Sequence, residues 1–381
     1  MSDIPPSKFS IPELPYELMS NIFLFCDAKT LVRVQATSHL WKDTLNSYEF
    51  VKEIAAVWRS KGCSLFGHFG YKEPTRRSLD WVIRMSSETG QRFPYALPFD
   101  VGNEGWFDIV GIDNGVFCFR LSKTRDISNL VVWNPMSRRQ SVLDDPITGI
   151  ADESTFLFSF LYYPNTIHYS IVAIFLERGR QARCVFTVYD SCSNKWTARA
   201  PCPSYVRKLD PAYVILNGVT YWVTWSHNQD AETRPYIVSF SSLTHTFNKI
   251  DLPDEALTTC HSLLMRDDHL CVAANNHNAD GYTTMIWQVD AVGEEHQWSK
   301  LFDVNGNAHA FIPAAIVDGD VIQVLERHVE VDDVEGLEYT TIHIRRFFTA
   351  TRKRKCILWV NYEDHVKLRT IHNYYEGFYP V

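Results

Sequence analysis

The sequence predicts an α+β protein of two parts, a small three-helix module followed by an all-β propeller of about six blades. Near the amino terminus, apolar side chains recur at helical spacing. Beyond residue 100, short β-branched and aromatic runs alternate with turns rich in Asn, Asp, Gly and Pro. A loose repeat runs through this second part, which is typical of similar sheets arranged around an axis.

The first helix is indicated by Leu14, Leu18 and Ile22, which lie four residues apart and therefore share one helix face. Pro15 stands at the first helical turn, where its missing amide donor costs nothing. The spacing thus predicts a short amphipathic helix with a single apolar stripe.

Two further helices follow within the same segment. Asp27 and Ser38 stand at their predicted N-cap positions. The apolar residues of these helices are Leu31, Val34, Trp41 and Leu45. Three helices of this size enclose too little core to be stable alone, so their apolar faces need another protein or the rest of the chain. This is typical of a docking module.

The order of these residues resembles the F-box. That family has a Leu-Pro pair, a Leu, an Ile-Leu or Ile-Phe pair, a further Leu, and a Trp after a Ser. The matching residues are Leu14, Pro15, Leu18, Ile22, Phe23, Leu31, Ser38 and Trp41. The chain departs from the pattern at Ala36, where many relatives have Cys, and at His39-Leu40, where they have a basic and then a small residue.

The resemblance implies binding to a Skp-type adaptor and, through it, to cullin and RING subunits of a ubiquitin ligase. It also implies which residues make that contact: Leu14, Pro15, Leu18, Ile22, Phe23, Leu31, Val34 and Trp41. We expect some of these apolar side chains to form the module's own core instead.

Composition and net charge limit the classes of function that this chain can have. Hydrophobic residues make up 45% and charged residues 22%, as in a folded protein. A net charge of −8 argues against nucleic-acid binding. The nine cysteines have no paired spacing, so we expect thiols in a reducing compartment, the nucleus and/or the cytoplasm. The first ten residues have neither a charged leader nor an apolar core, so we expect no signal peptide, and we find no apolar run long enough to predict a membrane span.

The predicted domain organisation is an F-box over 10–50, a helical connector over 51–94 and a propeller over 95–381. Helical spacing continues through 48–61, and a further short helix is predicted over 79–85. The last residues are expected to complete a blade that begins near residue 95, which would close the ring without an exposed sheet edge.

The propeller is predicted from its turns and its repeat. Asp113-Asn114-Gly115, Asn217-Gly218 and Asp318-Gly319 supply residues that tolerate positive φ in hairpin turns. Segments 113–118, 134–139, 217–222, 239–253 and 286–300 resemble, in order, the F-box-associated domain of land-plant proteins, a kelch-like propeller relative. A generic pair of β-sandwiches is the alternative fold.

No catalytic or cofactor motif is recognised, so neither a cofactor nor a metal site is predicted. His261, His269 and His277 are regularly spaced, but we interpret them as solvated histidines in or beside turns. Arg352, Lys353, Arg354 and Lys355 form a basic run that could be a nuclear-import signal or a patch for acidic segments of a substrate. The alternative is a solvated hairpin loop that discourages edge pairing.

These observations predict a non-catalytic receptor of a Skp–cullin–F-box ligase that recruits an unknown protein substrate for ubiquitination. The residues that bind this substrate are not identified by any pattern. Two alternatives stay open: a propeller enzyme of the copper-oxidase type, and an F-box scaffold that acts outside a ligase.

Overall fold

The structure is a computed structural model. It describes residues 15–60, 64–72, 78–86, 92–94, 97–99, 106–124, 127–147, 156–163, 166–177, 183–206, 209–224, 234–256, 261–266, 268–278, 281–292, 295–306, 312–317, 319–331, 338–363 and 366–374.

Four helices come first: α1 (Tyr16–Leu24), α2 (Ala28–Gln35), α3 (His39–Leu45) and α4 (Tyr48–Ser60). Asp27 caps α2, because its carboxylate accepts a hydrogen bond from the amide of Thr30 at 2.7 Å. Ser38 holds the N-cap position of α3 in an extended conformation, but its side chain makes no capping hydrogen bond. The predicted succession of short helices is confirmed.

The rest of the described chain forms six antiparallel sheets, which we number as blades. Blade 1 contains β4 (Trp106–Asp113), β5 (Val116–Thr124), β6 (Ile127–Asn134) and β7 (Arg139–Asp144). Blade 2 contains β8 (Phe156–Tyr163), β9 (His168–Glu177), β10 (Arg183–Asp190), β11 (Lys195–Trp196) and β12 (Ala200–Pro201). Blade 3 contains β13 (Leu209–Leu216), β14 (Val219–Thr224), β15 (Tyr236–Ser241) and β16 (Thr246–Asp251).

Blade 4 contains β17 (His261–Arg266), β18 (His269–Asn278), β19 (Gly281–Val292) and β20 (Glu295–Gly306), and a 3₁₀ turn at Asp254–Ala256 precedes it. Blade 5 contains β21 (Ile312–Val317), β22 (Asp320–Val331), β23 (Glu338–Phe348) and β24 (Lys353–Glu363). Blade 6 joins the two ends of the chain: β25 (Val366–Tyr374) lies beside β1 (Ser64–Lys72), β2 (Ser78–Ser86) and β3 (Arg92–Pro94).

The first strand of each blade faces the axis of a closed ring. β4, β8, β13, β17 and β21 contact one another in that order, and β25 contacts both β21 and β4. β25 also pairs with β1, with His372 opposite Phe66. The ring is therefore closed by hydrogen bonds between strands from the two ends of the chain, which leaves no open edge at the seam.

This closure corrects the predicted boundary at residue 95. The helix predicted over 79–85 is wrong, because these residues lie in β2, between β1 and β3. The predicted helical connector over 51–94 ends at Ser60, and the propeller begins with β1 at Ser64. The apolar residues of 79–85 fit a helix as well as a strand by spacing alone, and pairing with β1 decides between them.

The core lies between neighbouring blades. On β5, Val116 and Cys118 join a cluster with blade 2, whereas Phe117 and Phe119 join a cluster with Phe66 of blade 6. Successive side chains of a strand point to opposite faces, so a nearly continuous apolar run supplies both interfaces. Asn114, Asn217 and Gly319 have positive φ in the predicted hairpin turns, as those turns require.

Candidate functional site

An uncovered apolar stripe lies on α1. Pro15, Leu18, Ile22 and Phe25 follow one another at spacings of three or four residues, so they lie on one side of the helix and its C-terminal cap. Leu18 keeps 50% of its surface exposed, Ile22 49% and Phe25 86%. Because hydrating apolar surface is unfavourable, a contiguous stripe of this kind is typical of surfaces that bind a partner.

The core of the helical module lies on another side of α1. Phe23 is buried with Leu31, Leu45, Phe50, Ile54 and Trp58. The ring of Trp41 meets Phe23 edge-on, with 5.1 Å between ring centroids. Adjacent residues of a helix are separated by about 100° of rotation, so Phe23 is buried while Ile22 is exposed.

Helix α4 fixes the module on the propeller. Its buried residues Val51 and Ala55 pack in the cluster that blades 1 and 2 share. Met136, in the turn between β6 and β7, packs against the core of the helical module. The apolar stripe is therefore held at a defined place beside blade 1.

Both parts of the chain match known domains. The F-box domain matches residues 11–53, and the F-box associated beta propeller domain matches residues 113–364. The second match covers more than half of the chain.

The chain belongs to the F-box associated β-propeller family.

Relatives of this F-box protein include F-box/kelch-repeat proteins of Arabidopsis thaliana. An F-box/kelch-repeat protein of Arabidopsis thaliana is 22% identical over 84% of this chain and 88% of its own length. Another, also of Arabidopsis, is 21% identical over 94% of this chain and 88% of its own length. The resemblance predicted from the sequence is confirmed, and the domain pair is that of a substrate-recognition adaptor.

Solved structures with similar folds are distant. TolB from Acinetobacter baumannii has a TM-score of 0.45 at 9% identity and covers 86% of this chain and 72% of its own. The propeller domain of the trilobed protease from Pyrococcus furiosus has a TM-score of 0.41 at 8% identity, with coverage of 77% and 92%. These TM-scores are too low to bear on the function of this F-box protein.

The structure divides the predicted adaptor contacts into three groups. Pro15, Leu18 and Ile22 are exposed, and Val34 and Trp41 are half-buried. Phe23 and Leu31 lie in the core of the F-box, which corrects their prediction as contact residues, because a buried side chain has no surface to offer a partner. Leu14 lies outside the described residues.

Two exposed apolar residues of the F-box were not predicted. Phe25 continues the stripe of α1, and Leu40 of α3 is 62% exposed. The spacing from Ile22 to Phe25 is a signal that sequence reasoning could have used. At Leu40 this chain has a large apolar residue where the family has a small one. That difference could have indicated an additional exposed apolar side chain.

The basic run lies at the turn between β23 and β24. Arg352 occupies the turn with a positive φ, and Arg352, Lys353 and Lys355 are exposed. Burial, and to a smaller degree the charge of Arg345, lower the pKa of Arg354. The run thus presents three solvated cations and a partly buried fourth.

The regularly spaced histidines are spread along two strands, with His261 in β17 and His269 and His277 in β18. His261 begins β17 and His269 lies opposite Arg266 at its other end, about 17 Å away at strand spacing. In the ranges that the structure describes, no three His, Cys, Asp or Glu side chains are grouped as metal ligands would be. No helix within these ranges is long and apolar enough to cross a membrane.

Proposed function

We propose that this F-box protein is the substrate-recognition subunit of a Skp–cullin–F-box ubiquitin ligase. The exposed stripe of Leu18, Ile22 and Phe25 supports the proposal, because an F-box needs an apolar surface that its own core leaves free. The stripe binds a Skp-type adaptor, and the adaptor in turn connects the protein to the cullin and RING subunits. The receptor performs no bond chemistry. It raises the effective concentration of a protein target near the ubiquitin-charged enzyme.

The target binds at the end of the propeller opposite the F-box. Val51 packs in the cluster that also contains Val116, which follows the β4–β5 turn, and Met136 of the β6–β7 turn packs against the core of the F-box. Both turns lie at the same end of blade 1, because strands of an antiparallel sheet alternate in direction. At the other end, β7 ends and β8 begins, and β14 ends and β15 begins, and the sequence between the strands of each pair is longer than the turns at the F-box end.

The adaptor contact is tested by charge substitution on the stripe. Full-length protein with Leu18→Asp and Ile22→Asp is compared with the native protein for binding to a purified Skp-type adaptor. We expect binding to fall by at least about 100-fold, since each carboxylate would be desolvated in an apolar interface. Phe25→Asp alone is expected to weaken binding by about 10-fold or more.

The control is Leu243→Asp, which charges an apolar residue that is 76% exposed in the turn between β15 and β16 of the propeller. This variant should bind the adaptor as the native protein does. Undiminished binding by the doubly charged F-box variant, with circular dichroism showing a folded chain, would refute the assignment of the stripe.

The target end is tested with a photo-crosslinking residue in place of an exposed arginine. Arg234 precedes β15 at the end opposite the F-box, whereas Arg138 lies in the β6–β7 turn at the F-box end. We expect adducts with proteins that accumulate on proteasome inhibition at position 234 and not at position 138. If such proteins are crosslinked only at position 138, the target binds at the F-box end, and the proposed target end is refuted.

A further inference from the structure

Two cysteines of blade 2 face each other across neighbouring strands. In the pairing of β10 with β12, Val185 lies opposite Pro201 and Phe186 opposite Ala200. Continuing this register by one residue places Cys184 opposite Cys202, and the amide of Cys202 donates to the carbonyl of Cys184 at 2.9 Å. The two thiols thus lie on neighbouring strands at directly opposite positions, and each affects the pKa of the other.

This arrangement suits a disulfide. Residues directly opposite in an antiparallel pair have Cα atoms about 4.5–5.5 Å apart, within the range of about 4.4–6.8 Å that a disulfide spans. Both side chains are partly buried against the cluster that blades 2 and 3 share, and both keep some exposure. A small oxidant can therefore reach the sulfur atoms without unfolding the blade.

The chemistry of the two thiols differs. The hydrogen bond from Cys202 lowers the pKa of Cys184, because the Cys202 S–H stabilises a thiolate on its neighbour. The same hydrogen bond, with burial, raises the pKa of Cys202. Cys184 is thus the better nucleophile and Cys202 the better proton donor.

We propose that Cys184 and Cys202 form a reversible disulfide on exposure to peroxide, which fastens the outer edge of blade 2. The Cys184 thiolate attacks an oxygen of hydrogen peroxide, the O–O bond breaks, and the released hydroxide takes up the thiol proton as water. Cys202 sulfur then attacks the Cys184 sulfenic acid; the S–S bond forms, the S–O bond breaks, and a second water leaves with the Cys202 proton. Two thiols lose two electrons, and one peroxide is reduced to two waters.

The position gives the bond a structural effect. The outer strand of blade 2 is broken into β11 and β12, each of two residues, so it is held by few hydrogen bonds. Cys202 also begins the segment that crosses to blade 3, where Tyr205 donates to the carbonyl of Phe247 at 3.0 Å. A covalent link at Cys202 anchors both the broken strand and this crossing.

The test uses the full-length protein treated with a small excess of hydrogen peroxide, then denatured, alkylated and mapped by mass spectrometry. We expect a linked peptide that joins Cys184 to Cys202, loss of both thiols to alkylation, and full recovery on reduction. The oxidised protein should also unfold at a temperature a few degrees higher than the reduced protein.

Cys184→Ser and Cys202→Ser should each abolish the linked peptide and the thermal shift. Cys192→Ser is the matched control, because Cys192 is an exposed cysteine in the turn between β10 and β11. This variant should keep both the linked peptide and the thermal shift. The proposal fails if peroxide oxidises Cys192 or Cys356 while Cys184 and Cys202 stay open to alkylation. The mapping of the native protein decides this even where a serine variant does not fold.

Discussion

Phe50 and Val51 are neighbours in α4, both buried, and they belong to two different hydrophobic cores. Phe50 packs inside the F-box, with its ring 6.4 Å from that of Phe23. Val51 packs between blades 1 and 2 of the propeller. Helix α4 therefore contributes side chains to the hydrophobic cores of both domains. The F-box and the propeller are joined by this shared packing and not by a flexible linker.

Loss of packing at Phe50 should lower the stability of the F-box and the propeller together. We expect Phe50→Ala to lower the free energy of unfolding by about 3–5 kcal/mol, the usual cost of a buried Phe. Glu53→Ala, on the exposed side of α4, should change it by less than about 0.5 kcal/mol. Denaturant titration monitored by circular dichroism and by Trp fluorescence measures both. Two separate transitions in the native protein would contradict the shared core.

Tyr213 links three blades and depends on a glycine. Its hydroxyl donates to the carbonyl of Val110 at 2.7 Å and accepts from the amide of Phe160 at 3.0 Å. A Cβ on Gly111 would lie 1.9 Å from this hydroxyl oxygen. We expect Gly111→Ala to destabilise the protein by more than the about 1–3 kcal/mol expected of Tyr213→Phe.

A double-mutant cycle checks this relationship. Gly111→Ala with Tyr213→Phe should cost less than the sum of the two single changes, because removing the hydroxyl relieves the clash. Strict additivity in the free energies of unfolding would show that the two residues do not constrain each other.

A buried ion pair lies in blade 1. The Nε of Arg120 lies 2.6 Å from Oδ2 of Asp145, and the guanidinium lies 4.1 Å from the ring centroid of Phe156. Asp145→Ala would leave this cation buried without its counter-charge, so we expect a loss of about 3–5 kcal/mol in the free energy of unfolding.

The control for the ion pair is Asp254→Ala. Asp254 pairs with Arg234 at 3.0 Å, but their side chains are 87% and 78% exposed. This pair should contribute less than about 1 kcal/mol. Equal losses from the two substitutions, measured by urea unfolding, would be inconsistent with a dominant role for burial.

The seam between β25 and β1 should be sensitive to acid. Burial lowers the pKa of His372 to about 4, from an ordinary value of about 6.5. As the pH falls, the unfolded chain binds a proton first, so stability is full above about pH 6.5 and declines toward pH 4, by up to about 3 kcal/mol. Urea unfolding at pH 7, 6 and 5 measures how the free energy of unfolding changes with pH. The substitution His372→Gln should reduce that change. An unchanged slope in this variant would assign the pH dependence to other groups.

The exposed basic turn is a candidate nuclear-import signal, and a solvated hairpin loop is the alternative interpretation. Replacing Arg352, Lys353, Arg354 and Lys355 by Ala should shift a fluorescently tagged protein from nucleus to cytoplasm. Arg138→Ala with Arg139→Ala, at another exposed turn, is the control. An unchanged distribution would leave the basic run as a solvated hairpin.

Much of the fold followed from local patterns. Asp27 before an apolar run predicted the capped start of α2, and Asn217-Gly218 predicted a hairpin with positive φ, because caps and turns depend on a few neighbouring residues. The spacing of Leu18 and Ile22 likewise predicted their common face. Spacing did not separate Ile22 from Phe23, since both lie on an amphipathic helix and only packing decides which is covered.

The sequence by itself determined the F-box, its helices and the succession of hairpins, because these depend on spacing and on the conformations that single residues favour. Only the tertiary structure decided that 79–85 is a strand, that the ring closes at β1, and that Cys184 meets Cys202. Each of these depends on contacts between residues distant in the chain, and burial against such partners overrides local preference.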